Sequence, residues 1–202
     1  AHVFVEKPLS HDARGIDDLA QKAKEKNKII FVAFNYRFHP FLKIVKEIIE
    51  KKELGTIISM YAEIAERITD WHSWEDYRIT YGARSDLGGG VIATQSHELD
   101  LLCWLFGKPK WVFGAGGHLT DLDMKVEDSA VVIMQFPGQS IGTVRMDYIQ
   151  KPPKRFIEIV GTKGRVKIDF FAPRLDIIPL EGEQKSISVP DGFERNVMYQ
   201  DE

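Results

Sequence analysis

Lys7 and His97 are the two side chains of this sequence whose chemistry and placement together could support catalysis. Lys7 ends an apolar, β-branched run at the start of the chain, and the proline that follows it cannot continue a β-ladder. An ammonium group can stabilise charge near a carbonyl oxygen, and an imidazole can exchange a hydroxyl proton. The two residues are therefore candidates for hydride transfer at a carbinol carbon. A histidine hydrogen-bonded in the core for structural reasons explains His97 equally well.

The stretch from Gly88 to Gly107 must position this histidine. It contains no proline and is predicted to be one helix, preceded by three glycines that allow a tight turn or a close approach of the backbone to a ligand. At 3.6 residues per turn, this helix has one polar strip among apolar faces. The strip carries Ala93, Thr94, His97, Asp100 and Trp104. Because buried polar groups need partners, a titratable residue in this strip is a candidate for proton chemistry.

The composition excludes several classes of function. The chain has 202 residues, of which 44% are hydrophobic and 28% charged, as in ordinary folded proteins. A net charge of −3 without any Lys/Arg block is evidence against nucleic-acid binding. No apolar run approaches the roughly 20 residues of a membrane span, and no signal peptide opens the chain. Cys103 is the only cysteine, so an intramolecular disulfide is impossible and a reducing cytoplasm is the expected location.

Other motifs with known chemistry are missing or incomplete. Gly114–Leu119 follows a predicted strand, but it lacks the last glycine of the dinucleotide-binding motif and no helix follows it. Gly88–Gly90 lacks the lysine and hydroxyl residue of a phosphate-binding P-loop. The six histidines form neither an H-x-H nor an H-E-x-x-H pair, so no metal site is expected. The one G-x-S-x-G sequence, Gly138–Gly142, lies between two predicted strands and so is not the strand-to-helix elbow of a serine hydrolase.

The first 35 residues are predicted to form a strand, a helix and a second strand. The helix runs from Ser10 to about Asn27, with Ser10 or Asp12 as its N-cap, and the second strand covers Ile29–Phe34 as an apolar run typical of a strand covered on both faces. A parallel pair of strands needs further strands beside it. We therefore expect residues 1–35 to be the last βαβ unit of a larger doubly wound sheet.

The remainder of the chain is predicted to be an α+β domain, a largely antiparallel open sheet with helices on one face. An amphipathic helix is expected at Pro40–Lys52 and an alternating strand at Ile57–Ile68. Six short strands follow Gly107, at Trp111–Ala115, Ser129–Phe136, Ser140–Tyr148, Arg155–Val160, Arg165–Phe170 and Leu175–Ile178. A further element is expected to begin at Arg195.

An irregular segment at residues 69–87 is rich in aromatic residues and arginines. Aromatic side chains with polar tips, together with arginines, are suited to binding a polyhydroxylated or carboxylated ligand, and the candidates here are Trp74, Tyr77 and Arg78. A long loop packed by its own aromatic residues is the alternative.

Three motifs resemble those of the Gfo/Idh/MocA family of nicotinamide-dependent oxidoreductases, whose members act mostly on sugars, inositols and related polyols. They are the E-K-P motif at Glu6-Lys7-Pro8, the N-x-R-x-x-P segment at Asn35–Pro40, and the glycine-rich helix with its H-x-x-D ending at His97 and Asp100. The resemblance implies NAD or NADP as cofactor, a small sugar or sugar derivative as substrate, and Lys7 and His97 as catalytic residues. It also implies cofactor binding by Glu6, Lys7, Pro8 and Arg37, and substrate binding by Trp74, Tyr77, Arg78, Thr94 and His97.

The same resemblance implies that residues 1–35 end a Rossmann domain and that residues 36–202 form the substrate-binding and oligomerisation domain. The family's glycine-rich phosphate loop should lie upstream of this chain, so the chain alone is expected to bind NAD(P) weakly and to be inactive. Its broad sheet suggests a homo-oligomer.

One position departs from the family. Many relatives carry an aspartate one helical turn before the histidine, where this chain has Ala93, so Glu98 or Asp100 is the candidate to orient His97. Two alternatives stay open: a non-catalytic sugar-sensing protein on the same fold, and an NAD-dependent glycosidase that oxidises its substrate transiently.

Overall fold

The computed structural model describes residues 1–202 and begins with the predicted βαβ unit. Strands β1 (Val3–Glu6) and β2 (Ile30–Ala33) pair in parallel across helix α1 (Ile16–Glu25). Helix α1 starts later than predicted, because Gly15 in the left-handed region precedes it and the Asp12 carboxylate binds Arg14 instead of capping the helix. Within this chain β2 is not covered on both faces, since Phe31 is exposed and stacks on Phe4.

The predicted largely antiparallel sheet is confirmed, and it has eight strands. The strands are β3 (Ile57–Ala65), β4 (Trp111–Gly117), β5 (Ser129–Gln135), β6 (Ile141–Asp147), β7 (Lys154–Gly161), β8 (Gly164–Asp169), β9 (Arg174–Pro179) and β10 (Lys185–Ser188). Their order across the sheet is β10-β9-β8-β7-β3-β6-β5-β4, and only β3 and β6 run parallel to each other. Strand β10 was not predicted from the sequence.

One face of this sheet packs against helices and forms the core. Buried and half-buried residues alternate along β5 and β6, so every second side chain, such as Val132 and Val144, points into the core. Helix α2 (Pro40–Glu50) contributes the buried Phe41 and Leu42 to the same core. The opposite face of the sheet remains partly exposed. None of the helices, the longest of which has 11 residues, is long and apolar enough to cross a bilayer.

The single helix predicted between Gly88 and Gly107 is wrong, because the chain forms two helices there. Helix α3 (Val91–Thr94) ends at Gln95, and helix α4 (His97–Phe106) begins two residues later. In a continuous helix the Thr94 carbonyl oxygen would accept a hydrogen bond from the Glu98 N–H. It accepts one from Lys7 Nζ at 2.6 Å instead. A contact with a residue 87 positions away therefore accompanies the break.

The glycines before α3 are required by close packing of the backbone. Residues 68–87 form four short turns of 3₁₀-helix that bring the chain back over Gly89. A Cβ atom at Gly89 would lie 2.3 Å from the carbonyl oxygen of Tyr81, 2.7 Å from that of Gly82 and 2.8 Å from that of Arg84. The last element, α5 (Asn196–Asp201), lies where the sequence predicted one to begin.

We predict that Gly89→Ala lowers the free energy of unfolding by about 1–3 kcal/mol, because all three close neighbours are backbone atoms that cannot move aside independently. Urea denaturation would measure this loss. Gly114→Ala on β4 is the matched control, since its nearest neighbour would be 4.0 Å away. Equal stability of the two variants would show that the turn can relax to admit a side chain.

Candidate active site

A cavity of about 500 Å³ lies where the βαβ unit meets the eight-stranded sheet. Its walls come from the ends of β1, β2 and β3, from the junction of α3 and α4, from the start of β7 and from the C-terminal segment. Polar residues dominate the lining, which includes Glu6, Lys7, Asn35, Glu66, Tyr81, Thr94, Gln95, His97, Arg155 and Arg195. The two residues predicted to be catalytic thus lie on one cavity.

Lys7 follows β1, and its side chain reaches across to the end of α3. Its ammonium group donates to the Thr94 carbonyl oxygen, which fixes it at the wall of the cavity. Burial and then the charge of Arg155 lower the pKa of Lys7 below its ordinary value. An ammonium in this position can still donate hydrogen bonds to a ligand, because it has three N–H groups.

His97 is the first residue of α4, and aromatic rings hold it. The Phe34 ring meets it edge-on with centroids 5.8 Å apart, and the Tyr36 ring is tilted against it at 5.0 Å. Its Nδ1 is buried and has no hydrogen-bond partner. Burial, followed by the charges of Arg155 and Lys7, lowers the pKa of His97 to about 2, so the imidazole is neutral at physiological pH.

Neither acidic residue of α4 orients this histidine, contrary to what the sequence suggested. Asp100 forms a two-pronged ion pair with Arg37. Glu98 is fully buried and accepts a hydrogen bond at 2.7 Å from Nε of Arg155. Ala93 faces a second, more open cavity.

Arg155 is the functional candidate that sequence reasoning missed. It lies on β7 with only 7% of its surface exposed, and its guanidinium carbon sits 3.6 Å from the centroid of the Tyr36 ring. The signal was available in the sequence, because Arg155 alternates with Ile157 and Ile159 and so occupies the core-facing side of its strand. A charged residue in register with core positions needs a buried partner, which here is Glu98.

Several buried polar groups at the cavity lack partners within the protein. Asn35 has neither its amide nitrogen nor its amide oxygen bonded, and the same holds for Thr94 Oγ1, Gln95 Oε1 and one terminal nitrogen of Arg155. These four side chains are at least nine-tenths buried. Because such groups are normally satisfied, the cavity fits a ligand with both donors and acceptors, such as a carboxamide or a set of hydroxyls. The residues present therefore fit a nicotinamide group and a polyhydroxylated substrate.

The remaining predicted site residues are divided between the cavity and other surfaces. Glu6 lines the cavity with Lys7, whereas Pro8 lines the second cavity beside Ala93. Arg37 lines neither cavity, because its guanidinium is bound to Asp100.

The three candidates from the irregular segment also lie outside the cavity. Trp74 is 79% exposed and stacks on His72. Arg78 is bound to Asp76, and the Tyr77 hydroxyl accepts a hydrogen bond from a backbone N–H in the loop after β4. The structure does not bring these three residues together with Lys7 and His97. Their neighbours Trp71, His72 and Tyr81 line the cavity instead.

The sequence matches a family model, that of the GFO/IDH/MocA C-terminal domain, over residues 42–167. Among curated proteins, the myo-inositol 2-dehydrogenase of Thermotoga maritima is 28% identical over 178 residues, covering 83% of this chain and 49% of that protein. The 2,7-anhydro-N-acetylneuraminate hydratase of Escherichia coli is 25% identical over 174 residues, covering 83% of this chain and 45% of that protein. The chain thus spans about half the length of the curated relatives it matches.

The fold is also similar to that of solved structures. A levoglucosan dehydrogenase in complex with NADH and levoglucosan superposes with a TM-score of 0.84, at 18% identity, over 98% of this chain and 60% of that one.

We predict that Glu98→Leu lowers the free energy of unfolding by about 3–5 kcal/mol, because it removes the carboxylate that is hydrogen-bonded to the buried Arg155 guanidinium. Urea denaturation at neutral pH would measure the loss. The matched control is Glu47→Leu, which breaks an exposed ion pair with Lys51 and should change the stability by less than about 1 kcal/mol. If the two variants were equally stable, Arg155 would not depend on Glu98.

Proposed function

The chain belongs to the GFO/IDH/MocA family, and on that premise we propose that it forms the catalytic half of a nicotinamide-dependent oxidoreductase acting on a sugar or sugar derivative. The observation that carries the proposal is the placement of Lys7 and His97 on one polar cavity, in which four buried side chains keep unpartnered donors and acceptors. Relatives named as dehydrogenases of myo-inositol and levoglucosan support the substrate class.

The two catalytic candidates have different roles in this proposal. Lys7 donates a hydrogen bond to the reacting oxygen and stabilises the charge that develops on it during hydride transfer. His97 is the neutral base that accepts the hydroxyl proton, and because its Nδ1 is buried, Nε2 is the atom that does so. A bound nicotinamide supplies the hydride acceptor or donor, and Lys7 and Asn35 are the residues placed to hold it.

Residues 1–35 and 36–202 have separate tasks in this proposal. The parallel pair of β1 and β2 around α1 supports assignment of residues 1–35 to a nucleotide-binding Rossmann domain that binds NAD or NADP. Residues 36–202 bind the substrate through Thr94, Gln95 and His97. The cytoplasmic location expected from the single cysteine stays a prediction.

A second candidate function is supported by the relative named as a hydratase. In that case a bound nicotinamide would take up a hydride and return it within one turnover, so that the net reaction would involve no redox change. An assay of product formation with a small amount of nucleotide, compared with the net change in NAD(P)H absorbance, distinguishes the two functions. The same residues would act in both.

We predict that His97→Ala and Lys7→Ala each lower turnover in the whole protein by about 100-fold or more, because each removes a group that assists proton transfer or stabilises charge. The measurement is a screen of NAD(P)H absorbance against sugars, amino sugars and inositols, followed by kinetics on the best substrate. Lys22→Ala on the exposed surface of α1 is the control. Near-normal turnover in either variant, with its fold intact, would remove that residue from the mechanism.

The open face of the sheet is proposed to be an oligomer interface. It presents the exposed Trp111, Phe113 and Ile141 beside the half-buried Ile133, and contiguous apolar surface of this kind usually marks a protein contact. A face that meets its own copy forms a closed dimer.

We predict that the whole protein is a dimer or larger in multi-angle light scattering and that Phe113→Lys shifts it toward the monomer, because the substitution places a charge in the apolar patch. Leu180→Lys, at an exposed residue after β9, should leave the assembly unchanged. A wild-type protein that is monomeric at micromolar concentration would contradict the proposed interface.

A further inference from the structure

We infer that Tyr36 and Arg155 are positioning residues for His97 and that Glu98 fixes them in place. This network takes the role of the acidic residue that is absent one turn before the histidine. Its effect on turnover rests on the proposed oxidoreductase function, whereas its effect on the state of the imidazole does not.

No hydrogen bond orients the His97 imidazole. A histidine that acts on protons is usually held by an acceptor at the ring nitrogen that does not react. Here Nδ1 of His97 is buried without any partner, and both acidic residues of α4 are bound to arginines. The ring must therefore be held by packing.

Tyr36 supplies the packing that holds His97. Its ring lies against His97 with an interplanar angle of 53°, and Phe34 meets the imidazole edge-on from another side. Tyr36 is itself buried, and the Phe170 ring meets it edge-on at 5.5 Å. Movement of Tyr36 would free the imidazole on the side that the tyrosine ring covers.

Arg155 connects Tyr36 to a buried ion pair. The guanidinium carbon of Arg155 lies 3.6 Å from the centre of the Tyr36 ring, and its Nε donates to Glu98 at 2.7 Å. A guanidinium is planar and stacks on an aromatic ring, which a lysine ammonium cannot do. Because Glu98 directly follows His97 in α4, the network begins and ends on the same helix turn.

Charges on several elements surround this network. The cations that act on His97 are Lys7 after β1, Arg155 on β7 and Arg195 before α5. The acidic groups are Glu98 on α4 and Glu66 after β3, and both act on Arg155. The cations disfavour the imidazolium form, and close packing keeps water from stabilising it. A loosened ring would therefore be protonated at higher pH than the packed one.

The test is long-range proton–nitrogen correlation NMR on the chain itself, which reports the protonation and the tautomer of His97. In the wild type and in Tyr36→Phe, which keeps the ring, we expect a neutral imidazole with one tautomer between about pH 4 and 8. In Tyr36→Leu, which keeps the charge of Arg155, water reaches the imidazole and its pKa rises into this range. A neutral His97 with an unchanged tautomer in Tyr36→Leu would overturn the inference.

Two further variants separate positioning from simple loss of packing. The double variant Glu98→Leu/Arg155→Met removes the ion pair without leaving a buried charge unpaired, and it should free the imidazole to populate both tautomers as Tyr36→Leu does. The tautomer is the readout here, because loss of the Arg155 charge by itself raises the pKa of His97. Phe106→Leu removes a ring that packs on Phe136 at the far end of α4 and is the matched control. A shift of the His97 pKa in this control as large as in Tyr36→Leu would mean that any core truncation has the effect.

Kinetics on the whole protein form the second part of the test. Tyr36→Leu should lower kcat at least tenfold and add an acidic limb to the pH profile, while KM for the nucleotide stays within about twofold. Tyr36→Phe should retain the wild-type profile, and a Tyr36→Leu protein with wild-type kcat and pH profile would overturn the inference. A wild type without turnover on any substrate would contradict the proposed function, and NMR would then decide the positioning inference alone.

Discussion

The hydrogen bond from Lys7 Nζ to the Thr94 carbonyl oxygen is the contact on which the site depends. It joins the βαβ unit to the domain built on the large sheet, and it coincides with the break between α3 and α4. In a continuous helix the Thr94 carbonyl oxygen would be hydrogen-bonded within the helix. At the break it is available to the buried Lys7 ammonium, which needs an acceptor. The break also makes His97 the first residue of a helix. One contact between distant parts of the chain thus lies at the point where both catalytic candidates are placed.

Buried charge is the second constraint. Glu98 and Arg155 lie between the sheet and α4, and removal of either leaves the other as an uncompensated charge in the core. A pair of apolar residues at these positions would serve the stability of the fold as well or better. The pair is thus better explained by what Arg155 does at the cavity, where it contacts Tyr36 and keeps one nitrogen without a partner. The same reasoning applies to Asn35, whose amide is buried and unbonded.

Much of the fold could be predicted from the sequence because it depends on local periodicity. The βαβ unit, α2 and most of the strands are given by the spacing of apolar residues and by the glycines and prolines between them. The break at Gln95 could not be predicted, because the Lys7 contact that accompanies it joins residues 87 positions apart in the chain. The partners of Glu98 and Asp100 were missed for the same reason, since they belong to β7 and to the turn after β2. Composition predicted a binding segment at residues 69–87, but only the path of the turns decides that Tyr81 lines the cavity and Trp74 does not.

The electrostatics of the cavity also give the two catalytic candidates different roles. Burial and the nearby cations keep His97 neutral at physiological pH, so a ring nitrogen is free to accept a proton from a substrate hydroxyl while a hydride leaves. Burial and then the charge of Arg155 lower the pKa of Lys7, whose side chain donates a hydrogen bond to the Thr94 carbonyl oxygen. In the proposed reaction, alcohol oxidation therefore uses His97 as the base, and carbonyl reduction, which is the same step reversed, takes its proton from the His97 imidazolium. The ammonium bound to Thr94 thus stabilises charge on the reacting oxygen in both directions.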